Sequence, residues 1–247
     1  MWTPSVEGFE HYPVTLLALP RAVRLVATAR LRDPVLHLLL DDPAAGTRSR
    51  EEVDELARAL AEIEGGTSAR LTAQAAHSGL FPSGRPHANF VNAAFAYWRP
   101  REPNRFNDAT FGAWYAAFET DTAIAEVTYH IGRELDRVQN WNATVEWAEM
   151  WASFAGQFVD LRGIEPRPDC LHPDIEIGYS AGNALAREAR DASHNGIIYP
   201  SVRLSGGTCL VALWPHVVQS VAQGAVLRAT WRGSRSPTVS WLPEQCG

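Results

Sequence analysis

The chain has 247 residues, 46% of them hydrophobic, with a formal net charge of −6 and a pI of about 5.8. That is enough apolar content for one substantial core, and the wrong sign of charge for gripping a nucleic acid backbone. All 22 basic residues are Arg, so Schiff-base lysines, Lys-assisted serine nucleophiles and P-loop phosphate binding are excluded, and any anion must be met by guanidinium groups, backbone N–H groups or helix starts.

Taken in chain order, the first ten residues are acidic and lack a charged-then-apolar export pattern, and no apolar run approaches the ~20 residues of a membrane span. A cytoplasmic protein that contacts neither membrane nor nucleic acid is expected. Val14 to Ala29 holds two apolar runs split by Pro20, read as an edge strand followed by a more central one. Asp33 to Asp42 suggests a short helix. Ser49-Arg50-Glu51-Glu52 forms a capping box ahead of an apolar stripe closed by Gly65-Gly66, which predicts a helix over 49–64. Ser68 to His77 predicts its partner in a helical hairpin. Phe90 to Trp98 is apolar and aromatic, and two prolines stiffen the loop 99–104.

Phe111 to Phe118 reads as a strand packed on both faces, with Gly112 admitting a close neighbour. Thr120 and Asp121 can cap the helix that follows, and Ile124, Val127, Ile131 and Leu135 form its aliphatic stripe. Ala123, Glu126, His130 and Arg133 fall on the other side, so this periodicity alone reads Glu126 as a solvated glutamate. Beyond it, Ala143 to Trp151 and Phe154 to Leu161 read as strands and Tyr179 to Ala192 as a helix with a small apolar face. Strands then follow at Ile197-Ile198-Tyr199, Thr208 to Trp214, Ala225 to Trp231 and Thr238 to Trp241. Strands and helices mix without regular alternation, which is an α+β pattern.

Several chemistries lack their motifs. The sequence contains no HExxH, GxxxxGK[ST] or GxGxxG pattern, which removes the zincin helix, the P-loop and the Rossmann turn. Cys170, Cys209 and Cys246 are widely spaced with no CxxC pair, so neither a metal site nor a disulfide framework is expected.

What remains is a set of separated residues. Arg105 with Phe106-Asn107, Tyr115, Glu126 within Ala123-Ile124-Ala125-Glu126-Val127, and the block Tyr199-Pro200-Ser201-Val202-Arg203 followed by Gly206-Gly207-Thr208-Cys209 resemble the signature of the RES family, named for its Arg, Glu and Ser. Arg24-Leu25-Val26 resembles that family's early arginine-containing strand, so the likeness runs from about Val23 to about Val218. It implies a single RES-like domain over 1–247, with a mixed β-sheet core related to the ADP-ribosyltransferase fold. A helical insertion at about 43–90, with its helices near 49–78, and extra strands at about 219–247 would be added to that core.

The resemblance also implies a chemistry: cleavage of the nicotinamide–ribose bond of NAD⁺, by hydrolysis or phosphorolysis. NAD⁺ would be a consumed substrate, with no cofactor and no metal. Nicotinamide leaves as a neutral group, so the barrier lies in the positive charge that grows on the ribose, and a nearby carboxylate lowers it. Glu126 is the expected carboxylate, with Arg105, Tyr115 and Ser201 completing the catalytic set. Arg105, Asn107, Tyr115, Ser201, Arg24 and Arg203 are expected to bind NAD⁺, Arg105 gripping a phosphate, Tyr115 offering a ring face and Ser201 donating to phosphate or carboxamide. His130 would tune Glu126, His87 is a further candidate, and Glu119 is the rival carboxylate. RES toxins are paired with an Xre-like helix-turn-helix antitoxin, which is the partner implied here, and oligomers are allowed. Two rival functions stand beside this one: transfer of ADP-ribose to a protein or small molecule, and non-catalytic binding of NAD or ADP-ribose.

Overall fold

A computed structural model describes residues 9–28, 52, 88–96 and 103–243. It shows a mixed α/β fold built on a seven-stranded sheet. The strands are β1 (Val14–Ala27), β2 (Trp114–Ala117), β3 (Asn142–Asp160), β4 (Gly196–Pro200), β5 (Thr208–Ala212), β6 (Val218–Arg232) and β7 (Thr238–Trp241). The main helices are α1 (Ala88–Ala96), α2 (Thr120–Arg137) and α3 (Ile175–Asp191). The helices expected over 33–42, 49–64 and 68–77 lie, but for residue 52, outside the described residues.

The strand order is β1-β2-β5-β4-β3-β6-β7, and β1 also pairs with β3, so five strands form a closed circuit from which β6 and β7 extend. Every pairing is antiparallel except β3 with β4. Two expectations are corrected here. Pro20 does not divide two strands: β1 continues through it, with a register shift between Leu19 and Ala22 that accommodates the missing N–H. The strands expected at 143–151 and 154–161 are one, because β3 pairs with β1 from Trp147 to Val159, across the expected break, and takes up irregularity in two bulges against β6.

Neighbouring residues on each central strand enter different clusters, as a period of two requires. Ile197, Tyr199, Cys209 and Val211 join the first, under the α2 stripe of Ile124, Val127, Ile131 and Leu135 and the α3 residues Leu185, Ala186 and Ala189. Ile198, Leu210 and Ala212 join the second, with Trp114, Phe154, Phe158 and the α1 residues Val91 and Phe95. Gly112 is what lets α1 sit so close. A Cβ there would lie 2.5 Å from both the Ala94 carbonyl oxygen and the Phe95 Cα, which realises the close approach expected of that glycine.

The start of α2 is fixed differently from the expectation. Glu119 is the N-cap and makes no capping bond through its side chain. Thr120 instead donates to Glu149 Oε1 at 2.7 Å, while Trp151 Nε1 and the Ala225 N–H reach Glu149 Oε2 at 3.2 and 3.3 Å. The buried glutamate is thereby satisfied by three donors, and α2 is held at a defined height over β3.

Candidate active site

A cleft of about 210 Å³, open to solvent, lies between the sheet and the two helices α2 and α3. Its walls include Arg24, Arg105, Tyr115, Glu126, His130 and Arg203, together with Tyr179, Tyr199 and Cys209.

Glu126 stands on the cleft side of α2. Its Oε1 accepts the Ser201 hydroxyl at 2.7 Å, with the Cys209 sulfur at 3.9 Å. Oε2 takes no hydrogen bond among the described residues, so one oxygen is anchored and the other is available to a ligand. The solvated-surface reading from helical periodicity is therefore corrected: the stripe packs as expected, but the opposite flank meets a cleft rather than bulk water.

Ser201 is buried, and its single proton goes to Glu126. Its oxygen accepts the N–H groups of Arg203 at 3.1 Å and Leu204 at 3.0 Å, so the turn after Pro200 is closed by the same atom. This differs from a serine donating to phosphate or carboxamide. The hydroxyl orients the carboxylate.

Arg105 sits in a tight turn closed by the Asn104 N–H to Asn107 carbonyl bond at 2.9 Å. Its Nη1 donates to the carbonyls of Cys170 at 2.5 Å and His172 at 3.2 Å, and its Cζ lies 5.4 Å from the centre of the Tyr179 ring. No carboxylate pairs with it among the described residues, so its charge stays uncompensated although the residue is only 8% exposed. Neutral carbonyls position a guanidinium without cancelling it.

Tyr115 and Asn107 serve this turn. The Tyr115 hydroxyl accepts the Phe106 N–H at 2.8 Å and donates to Asn107 Oδ1 at 2.9 Å, and Asn107 Nδ2 reaches the Phe111 carbonyl at 3.2 Å. Burial pushes the Tyr115 phenol far above its ordinary value, so it is a neutral bridge. Its ring borders the cleft, while its hydroxyl has no capacity left for a ligand beyond one lone pair.

Three further side chains border the same space. The Arg203 guanidinium lies 3.4 Å over the Tyr129 ring, and Arg24 lies 4.9 Å from the Trp114 ring centre. His130 keeps an exposed edge, but crowding by the cleft wall, together with Arg203, Arg133 and Arg105, works against its cation and lowers its pKa to about 4. Burial and the neighbouring Glu126 push the Cys209 thiol well above its usual range, so it stays protonated beside the carboxylate. Glu119, the rival carboxylate, is exposed and does not border the cleft. His87 lies outside the described residues.

Two wall residues went unassigned in the sequence. Tyr179, at the start of α3, and Cys209, in β5, carry no pattern of their own that marks a cleft. Cys209 sits ten residues after Tyr199 on the strand that pairs with β4, and only that pairing, with Tyr199 opposite Cys209, brings it under Glu126.

Fold and cleft together define a mixed α/β protein that sets an anchored carboxylate among guanidinium groups. The RES domain model matches residues 80–232, more than half of the chain, and the chain belongs to the RES domain family. The matched span begins after Arg24 and runs on through β6. No curated protein matches the chain. Among solved structures, the M. tuberculosis MbcT–MbcA toxin–antitoxin complex is similar at 15% identity with a TM-score of 0.37, over 57% of this chain and 79% of that one. A likeness of that size carries no argument about the site.

Proposed function

We propose that this chain is an NAD⁺ glycohydrolase that cleaves the nicotinamide–ribose bond, and that it acts as the toxin of a toxin–antitoxin pair. One observation carries the reading: the Glu126 carboxylate, one oxygen anchored by Ser201 and the other without a hydrogen bond among the described residues, shares a cleft with Arg24, Arg105 and Arg203. Among the described residues neither Arg105 nor Arg203 pairs with a carboxylate, and both border this cleft in a protein whose formal net charge is −6. A pyrophosphate diester is anionic, and guanidinium groups placed there support a dinucleotide.

The chemistry follows from the charges. The C1′–N1 bond breaks heterolytically, its electron pair goes to nicotinamide, and the cation left on the ribose faces Glu126. Water adds to C1′ and releases a proton, giving ADP-ribose. Arg105 and the cleft's other cations hold the pyrophosphate, and the cleft takes one end of the molecule while the rest extends through its open mouth. Membership of the RES family supports this assignment; kinship with the ADP-ribosyltransferase fold and an Xre-like helix-turn-helix antitoxin that covers the cleft are parts of the same proposal. We read the chain as one RES-like domain. We place its action in the cytoplasm; among its described residues no helix is long and apolar enough to cross a membrane.

Induced expression with cellular NAD⁺ followed over time tests the proposal. NAD⁺ should fall with the natural sequence and hold steady with Arg105→Ala. In vitro, rapid nicotinamide release from NAD⁺ alone supports hydrolysis, whereas release that waits for an added protein acceptor would mark an ADP-ribosyltransferase instead.

A further inference from the structure

Arg105 reaches the cleft only because α3 is cut away where the arginine passes. A Cβ built at Gly178 would lie 2.6 Å from Arg105 Nη1 and 2.6 Å from the His172 carbonyl oxygen. One turn on, a Cβ at Gly182 would lie 2.1 Å from the Arg105 carbonyl oxygen and 3.2 Å from its Cγ. Real Cβ atoms do not approach so closely, so backbone and side chain of Arg105 both occupy volume that any other residue on this face of α3 would fill.

Glycine is a poor choice for a helix on its own account. Each costs about 1 kcal/mol relative to Ala in a helix interior, and neither position has a positive φ to justify it. The two stand four apart on one face of a helix that is otherwise rich in Ala, Arg and Glu. Close approach is what remains to explain them. The same face carries Asn183, whose Nδ2 donates to the carbonyls of Asn104 at 2.8 Å and Tyr179 at 2.7 Å, and Tyr179, whose ring lies under the guanidinium.

We infer that Gly178 and Gly182 are positioning residues for NAD⁺ binding: they form a seat in α3 that sets the Arg105 guanidinium against the carbonyls of Cys170 and His172 and turns its free edge to the substrate's pyrophosphate. This rests on the reading of the cleft as an NAD⁺ site and deepens it. The seat belongs to α3, some 70 residues after the arginine it serves. The two glycines act on the arginine differently. Gly178 gives room to the guanidinium, and Gly182 gives room to the main chain of the turn.

The test is a kinetic cycle with Gly178→Ala, Gly182→Ala and Arg105→Ala, using nicotinamide release from NAD⁺ by the whole chain, with thermal unfolding alongside. Losing a hydrogen-bonded contact to a charged group costs a factor of about ten or more in affinity, so Gly178→Ala should raise KM about tenfold with kcat nearly kept. Placed on Arg105→Ala, the same alanine should leave KM where the arginine deletion put it. Gly182→Ala should raise KM as well, and both alanines should lower the unfolding temperature in either background, since one meets the His172 carbonyl and the other the Arg105 carbonyl. Affinity for ADP-ribose, measured by calorimetry, repeats the comparison without turnover.

An unchanged KM in Gly178→Ala would overturn the inference, and so would an equal KM rise with and without Arg105. A natural sequence that neither releases nicotinamide nor binds ADP-ribose would instead overturn the NAD⁺ reading itself. The two failures are distinguishable.

Discussion

Replacing Ser201 by Ala removes one oxygen with three bonds. The donor bond to Glu126 is 2.7 Å long, and the acceptor bonds from the N–H groups of Arg203 and Leu204 are 3.1 and 3.0 Å. A neutral bond contributes about 1 kcal/mol and one to a charged group about 1.5 to 3 kcal/mol, the latter discounted here because Glu126 is only half-buried. We expect Ser201→Ala to lose about 2 to 3 kcal/mol of stability and some 5 to 10 °C in unfolding temperature. The larger consequence is kinetic. A carboxylate free to rotate loses the fixed orientation on which electrostatic stabilisation depends, and kcat should fall about 10- to 100-fold with a smaller change in KM. Ser201→Thr keeps the hydroxyl and should recover most of the rate. Steady-state nicotinamide release, read beside thermal unfolding, decides it. A variant that keeps kcat and raises KM alone would refute the reasoning, because the serine would then be touching substrate and not the glutamate.

Other perturbations separate positioning from contact. Tyr115→Phe leaves the Phe106 N–H without its acceptor and should cost about 1 to 2 kcal/mol in chemical denaturation; unchanged stability with lost activity would mean that the phenol acts on the substrate. His130 is held neutral, with a folded pKa near 4 against an ordinary 6.5, so the unfolded chain binds more protons between those values and stability falls as pH drops through that window. His130→Gln should flatten that part of the stability profile, and an identical profile would show that the ring is not desolvated. Burial raises the Asp160 pKa, but the bonds from Arg162 and Thr15 outweigh it and hold the carboxyl below its ordinary value. Its contribution is therefore present above pH ~4 and lost below the depressed folded pKa. Asp160→Asn should cost about 1 to 2 kcal/mol at pH 7 and lose that difference in acid, measured by urea unfolding at both pH values.

How legible the site was depends on the range of the interactions that build it. Helix α2 is written in its own periodicity, and its stripe packs as read, because a helix face is a local property. The side that carries Glu126 looks like solvent from α2 alone, since the opposing wall comes from β1, β5 and the turn at Arg105. Only a resemblance spanning many segments joined them. Pro20 misled because a bulge against β3 absorbs the missing donor, and the break expected within 142–160 misled because β1 bonds across it. The α3 glycines were visible as letters, but what they make room for lies in another part of the chain.

The central claim is that the Glu126 charge opposes a cation forming on ribose, and Glu126→Gln tests it with the least disturbance. Gln keeps an oxygen for the Ser201 hydroxyl and nearly the same volume, so folding should be conserved while the charge disappears. In an assay of purified chain with NAD⁺ alone, the natural sequence should release nicotinamide, and Glu126→Gln should do so about 100- to 1,000-fold more slowly in kcat. Equal rates from the two proteins would contradict the account.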